Sequence, residues 1–274
     1  MTSPQTDSAT LSPDTELSLA DLKPLPERVL GRIGRKIPVI GYGTAPLGSD
    51  NTHPDEATRI LNFAMDMGVL YLDTAPVYGD PNSKYGNAEM KLKEILQVRR
   101  KEAFLVTKAN AQRQTHDGIL EQIEESLQRM GVQEVDLVHI HNLGDFDMET
   151  FFTKDGALAG LQTAKERGLI RYIGISGHIR PARFTTVLDT GQIDLTMVTL
   201  NFADRYNYDF EGAVLATAQK HNVAVVAMKV LGGAVEWRYD ANTPGALADY
   251  HEPAIRYALG IPGVSCAVIG FANE

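Results

Sequence analysis

Four residues able to give, hold or steer a proton stand at comparable places in this chain: Asp73, Tyr78, Lys108 and His141. Asp73 closes the apolar run LYLDTA, and Tyr78 follows five positions later in a turn containing proline and glycine. Lys108 falls near the end of AFLVTKAN and His141 near the end of VDLVHIHN. A tyrosine hydroxyl, with an ordinary pKa of about 10, is a poor acid at neutral pH unless a nearby cation stabilises the phenolate. Lys108 is such a cation. A carboxylate such as Asp73 would fix the ammonium and offset its burial, while His141 would hydrogen-bond and orient the reacting oxygen. Together they would donate a proton to a carbonyl oxygen as hydride reaches the carbon, or run the reverse on an alcohol. No side chain supplies a hydride, so a nicotinamide cofactor is implied. Singly, each residue has an ordinary structural role; the chemical reading rests on their convergence.

Convergence requires elements that bring them to one place. Short apolar, β-branched runs recur at 39–45, 70–75, 103–110, 135–142, 171–178, 195–202, 223–230 and 265–271, which makes eight. Helical spacing separates several of them. Ala57, Ile60, Leu61 and Ala64 share one face, behind Pro54, Asp55 and Glu56, which suit a helix start. HDGILEQIEESLQRMG places Ile119, Ile123, Leu127 and Met130 on one face and stops at Gly131. GLQTAKERG and AVLATAQKHN read as helices ending at Gly168 and Asn222. Strands alternating with helices predict a parallel sheet, and runs apolar throughout, such as VAVVAM, imply burial on both faces. An open doubly wound sheet shares this pattern. The strand count and the 274-residue length favour an α/β (β/α)8 TIM barrel. In such a barrel chemistry lies at the C-terminal ends of the strands, where all four residues fall.

Composition narrows the setting. The net charge of -9 argues against a general nucleic-acid or membrane-surface role, which would want a basic face. A single cysteine, Cys266, excludes a disulfide framework or a four-cysteine metal site within the chain. No apolar run approaches the roughly 18 residues of a membrane span, so a cytoplasmic location is the default expectation. Residues 1–28, rich in Ser, Thr, Asp and Pro at their start, read as a flexible leader before a barrel over 29–274.

RVLGRIGRKIPVIGYGTAPLG, LDTAPVYG, LVTKAN, DLVHIHN, IGISGH and MKVLGG together resemble the aldo-keto reductases, over about residues 29–274. LDTAPVYG is the most specific, since the spacing of Asp73 and Tyr78 matches the family's catalytic pair. The resemblance implies a (β/α)8 barrel and a catalytic tetrad of Asp73, Tyr78, Lys108 and His141, with Tyr78 the general acid. It further implies NADPH, less often NADH, bound in an extended pose without a Rossmann glycine fingerprint, and a small carbonyl substrate. By the same resemblance Ser176 would hold the nicotinamide carboxamide, with Gly177 where many members have asparagine. Asn201 would be its amide partner, and Met228 would pack on the ring in place of a tyrosine. Leu231, Gly232 and Gly233 would bring backbone amides to the pyrophosphate. The family's segment and helix after the last strand, which bind the adenosine phosphate, have no counterpart after VIGFANE, so the C-terminus is expected to be short.

Two rival assignments remain open at this level. KYGNAE repeats the Tyr-Gly pair, but Tyr85 lacks the spacing from Asp73 and reads as a rim residue. His139 and His141, at i and i+2, share a strand face, and with His178 they could hold a metal in a hydrolase barrel. Lys108 beside the site opposes a metal ion. A barrel that binds nicotinamide nucleotide as a regulatory subunit is a further alternative. Loops such as DPNSKYGN, GDFDMETFFTKDG and the stretch around Trp237 would set substrate choice.

Overall fold

The structure, a computed structural model, describes residues 23–233 and 247–271. A hairpin of β1 (Glu27–Val29) and β2 (Lys36–Pro38) precedes the barrel. Eight parallel strands follow: β3 (Ile40–Gly43), β4 (Tyr71–Asp73), β5 (Phe104–Ala109), β6 (Val135–Ile140), β7 (Ile170–Gly177), β8 (Leu195–Thr199), β9 (Ala224–Met228) and β10 (Val264–Ile269). They close in sequence order, with β10 pairing to β3, so the chain is a (β/α)8 TIM barrel. Each strand lies within or at the edge of one of the eight apolar runs read from the sequence.

Helices α1 (Pro54–Asp66), α2 (Ala88–Arg99), α3 (His116–Met130), α4 (Met148–Phe151), α5 (Ala157–Glu166), α6 (Pro181–Leu188), α7 (Arg205–Tyr208), α8 (Ala213–Lys220) and α9 (His251–Gly260) lie outside the barrel or in its loops. The expected signals operate at their ends. His53 caps α1 ahead of Pro54, Thr115 Oγ1 accepts from the Gly118 amide at the start of α3, and Gly131 ends α3 in the left-handed region. The apolar faces of the helices cover the outward residues of the strands in one large core.

Inside the barrel, alternate strand residues form a second core that includes Tyr71, Phe104, Val106, Leu137, Met197, Val226 and Cys266. Leu30 and Ile37, from the hairpin, join this core and seal the N-terminal end of the barrel. Arg28 ties the hairpin down by donating to the carbonyls of Leu259 and Val264, at 2.8 and 2.7 Å. Glu27 and Arg28, within the stretch expected as leader, therefore belong to the folded hairpin, while residues 1–22 lie outside the described part. Helix α9 precedes β10 and packs on it. Among the described residues no helix is long and apolar enough to cross a membrane.

Candidate active site

The same alternation that fills the barrel carries polar residues upward along each strand. Asp73 shares the inward face of β4 with Tyr71, Lys108 that of β5 with Val106, and His139 and His141 that of β6 and its end with Leu137. Asp73 and Lys108 are both buried, each 2% exposed, and Lys108 Nζ lies 2.6 Å from Asp73 Oδ2. A second donation from Nζ reaches the Thr74 carbonyl at 2.9 Å. Tyr78, in the loop after β4, lays its ring 4.8 Å from the ammonium that Asp73 holds. His141 meets that ring edge-on, with centroids 6.2 Å apart. All four residues singled out in the sequence thus gather at the C-terminal end of the barrel.

Burial governs their electrostatics. It pushes the Asp73 carboxyl above the usual range, and the Lys108 ammonium and the nearby Tyr78 hydroxyl oppose that shift. It likewise pushes the Lys108 ammonium down, against the pull of Asp73 and Glu89. His141 is held well below the ordinary histidine value by burial, then by Lys108, His178 and Lys229. It is therefore neutral at pH 7. Its Nδ1 lies 3.0 Å from Asn110 Oδ1, a contact that fixes the orientation of the ring.

The loop bearing Tyr78 is tightly walled. A Cβ on Gly48 would stand 2.3 Å from the Tyr78 carbonyl oxygen, and one on Gly79 would stand 2.1 Å from the Gly48 carbonyl oxygen. Gly79 also has a φ of 89°, where other residues are strained. Elsewhere on the rim, Asn142, Arg180 and Lys229 adopt positive φ just beyond β6, β7 and β9. Non-glycine strain of this kind collects where surrounding structure holds a functional geometry.

The expected cofactor contacts divide. Ser176 and Met228 both stand at the upper ends of β7 and β9, Ser176 buried and Met228 half-buried, and Ser176 Oγ donates to the Ile140 carbonyl at 3.2 Å. The Ser176 lone pairs can still accept from an amide. Asn201 is also buried, but its amide is engaged locally. Nδ2 donates to Asp204 Oδ2 at 2.8 Å and to the Lys229 carbonyl at 2.9 Å, while Oδ1 accepts from the Asp204 amide at 2.8 Å. An acceptor lone pair on Oδ1 is what it has left to offer a ligand. Gly232 and Gly233 are consecutive left-handed residues, and the Gly232 amide closes a turn onto the Lys229 carbonyl. Leu231 accepts from the Leu247 amide and packs at the edge of the outer core.

Tyr85 lies apart from the four, against the rings and charge of His53 and Lys84. His139 sits inside the barrel opposite Gly174, whose missing side chain makes room for the imidazole: a Cβ there would stand 2.4 Å from His139 Nδ1. Among the described residues no three of His, Cys, Asp or Glu come together as a metal-ligand set. Trp237 lies outside the described residues.

His178, at the end of β7, bonds through Nδ1 to Thr199 Oγ1 at 3.1 Å, and its pKa is pushed down to about 4 by burial, Lys229 and Lys108. An unfolded histidine titrates near 6.5. Between those values the unfolded chain binds more protons than the folded one, so stability is complete above pH ~6.5 and falls as pH drops toward ~4. His139 and His141, also held low, act in the same direction. Urea denaturation between pH ~8 and ~4.5 should show stability falling by about 1 kcal/mol per pH unit for each such histidine. His178→Gln should flatten part of that slope; an unchanged slope would show that His178 protonates freely in the folded state.

Sequence reading missed the supports of this site. Asn87 caps α2, Glu89 on α2 accepts from Thr107 Oγ1 at 2.6 Å beside Lys108, and Lys91 is buried on the same helix. The capping signal was present in NAEM. Glu89 and Lys91, charged residues on a buried face, broke the pattern that would have revealed the helix.

A parallel eight-stranded barrel with a hydrogen-bonded cluster of ionisable side chains at its C-terminal rim has the form of a barrel enzyme. The chain belongs to the aldo/keto reductase family, whose sequence model matches residues 39–252. It is 31% identical to the L-galactose dehydrogenase of Arabidopsis thaliana, over 62% of this chain and 54% of that protein. It is 29% identical to the D-threo-aldose 1-dehydrogenase of a Pseudomonas species, over 72% of this chain and 67% of that one. Pyridoxal 4-dehydrogenase of Microbacterium luteolum is 26% identical, over 91% of this chain and 90% of the relative. Among solved structures, a thermostable aldo-keto reductase superposes with a TM-score of 0.70 at 26% identity, covering 89% of each chain. The chain is thus of an oxidoreductase family.

Proposed function

We propose that this protein is an NADPH-dependent aldo-keto reductase that reduces an aldehyde or ketone, or oxidises the corresponding alcohol, with Tyr78 as general acid. The observation that carries the reading is the placement of Lys108, whose ammonium is 2.6 Å from Asp73 and 4.8 Å from the Tyr78 ring centre. A proton donor, a cation and a carboxylate that touch one another at the barrel rim suit proton transfer to a carbonyl oxygen. In reduction Tyr78 Oη gives its proton to that oxygen, and the Lys108 ammonium beside the ring stabilises the phenolate left behind. Asp73 holds the ammonium in place. In oxidation the phenolate takes the hydroxyl proton back, and His141, edge-on to the Tyr78 ring, helps orient that oxygen.

The cofactor, when bound, supplies or accepts the hydride. Ser176 would accept from the nicotinamide carboxamide, Met228 would pack against the ring, and the Leu231, Gly232 and Gly233 turn would lie along the pyrophosphate. Asn201 would contribute its remaining lone pair. NADPH rather than NADH is proposed from family membership. The names of the three relatives point to aldoses and pyridoxal as the first substrates to try.

Calorimetric titration with NADPH and NADH, followed by turnover of a simple aldehyde, an aldose and pyridoxal, tests the proposal. Tight NADPH binding with turnover is expected. Binding without turnover would make the barrel a nucleotide-binding regulatory subunit, and failure to bind either nucleotide would remove the reductase reading.

A further inference from the structure

The first turn of α2 grips the loop that carries Tyr78. Asn87 Nδ2 donates to the Pro76 carbonyl at 2.9 Å, and the Ala88 amide donates to the Tyr78 carbonyl at 2.8 Å. Further along the helix, Lys91 is only 2% exposed. Its Nζ donates to the carbonyls of Leu47 and Ser49, each at 2.7 Å. Between those carbonyls lies Gly48, the residue whose backbone meets the Tyr78 and Gly79 backbone too closely to admit a Cβ on either glycine. The turn after β3, which includes Ala45–Gly48, is therefore the wall opposite α2, and the Tyr78 loop is seated between the two.

Burying an ammonium is costly, and burial does lower the pKa of Lys91, with Asp50 opposing the shift. An apolar side chain would fill the inner face of α2 without that cost. What lysine adds is a pair of charge-assisted hydrogen bonds that span Gly48 and fix the wall relative to the helix. We infer that Lys91 is a positioning residue for Tyr78. By holding both carbonyls that flank Gly48, it sets where the Tyr78 backbone rests and hence where the hydroxyl stands relative to Lys108. The inference rests on the reading of Tyr78 as the proton donor.

The test compares the full chain with Lys91→Met, which keeps length and loses the charge, and Lys91→Arg, which can still donate to both carbonyls. In Lys91→Met, kcat for the best carbonyl substrate should fall by about 100-fold, as expected for a misplacement on the order of 1 Å, with KM and NADPH affinity nearly unchanged. Lys91→Arg should recover most of the loss. Hydrogen exchange should quicken by about tenfold in the peptide covering 74–88 and stay unchanged over 116–130. Unchanged kcat with unchanged exchange would overturn the inference. So would lower Tm and faster exchange throughout the barrel with kcat preserved, since that is the signature of a general structural role. If the wild type turns over no carbonyl compound, the reading of Tyr78 fails, and the exchange pattern alone still decides whether Lys91 holds the loop.

Discussion

Tyr78→Phe is expected to lower kcat for carbonyl reduction by about a thousandfold while leaving NADPH affinity nearly unchanged. The phenylalanine ring keeps the packing over Lys108 and against His141, so the loop keeps its shape. What it loses is the Oη hydroxyl and its proton. General acid catalysis by a positioned side chain is worth roughly 10² to 10⁴ in rate, and the rest of the site cannot replace it. Stability should fall by no more than about 1 kcal/mol, since a single hydroxyl is removed and the ring is kept. Steady-state kinetics beside a cofactor titration separates the two effects. Activity within about tenfold of wild type would take the proton from Tyr78 and assign it elsewhere.

Lys108→Met should do more damage, because it strikes fold and chemistry together. Asp73 and Lys108 are both buried, and Asp73 Oδ1 already lacks a hydrogen-bond partner. Removing the ammonium leaves a buried carboxylate with no cation, a change that costs about 3 to 5 kcal/mol when one partner of a buried pair is lost. Asp73 would answer by binding a proton, its carboxyl pushed further up by burial. The loss should therefore be smaller at acid pH than at neutral pH, since a protonated Asp73 needs no cation. Asp73→Asn combined with Lys108→Met should restore much of the stability and none of the turnover. Urea denaturation and kinetics on the single and double variants measure this directly. If the single variant is as stable as wild type, the pair is not ionised together in the fold.

The barrel was legible because its strands are marked by apolar, β-branched runs that need no knowledge of their partners. VAVVAM supplies β9, buried from Ala224 to Ala227, and AFLVTKAN becomes β5 with every residue from Phe104 to Ala109 buried. Helices α1 and α3 were equally open to reading, since their apolar residues repeat at helical spacing. Helix α2 was not, because it turns Glu89 and Lys91 inward to partners on β5 and in the turn after β3. Sequence spacing cannot show a charge satisfied by distant carbonyls. The candidate site was legible for a related reason: Asp73, Lys108 and His141 each fall at or near the end of an apolar run, Tyr78 follows Asp73 in its loop, and all the strands of such a barrel end on one side. Asn201 marks the limit. Its type suits a carboxamide partner, but its hydrogen bonds to Asp204 and to the Lys229 carbonyl are set by a loop fold that residue type does not encode.

The contact between Gly48 and Gly79 bears on how this rim can change over generations. Neither position accepts a side chain while the other backbone stays where it is, and a shift in either would carry Tyr78 with it. A single substitution there has no neutral route. The wall beside Tyr78 is therefore closed to gradual remodelling, and new substrate preferences in this lineage would have to arise in the loops beyond other strands, around the proposed proton donor.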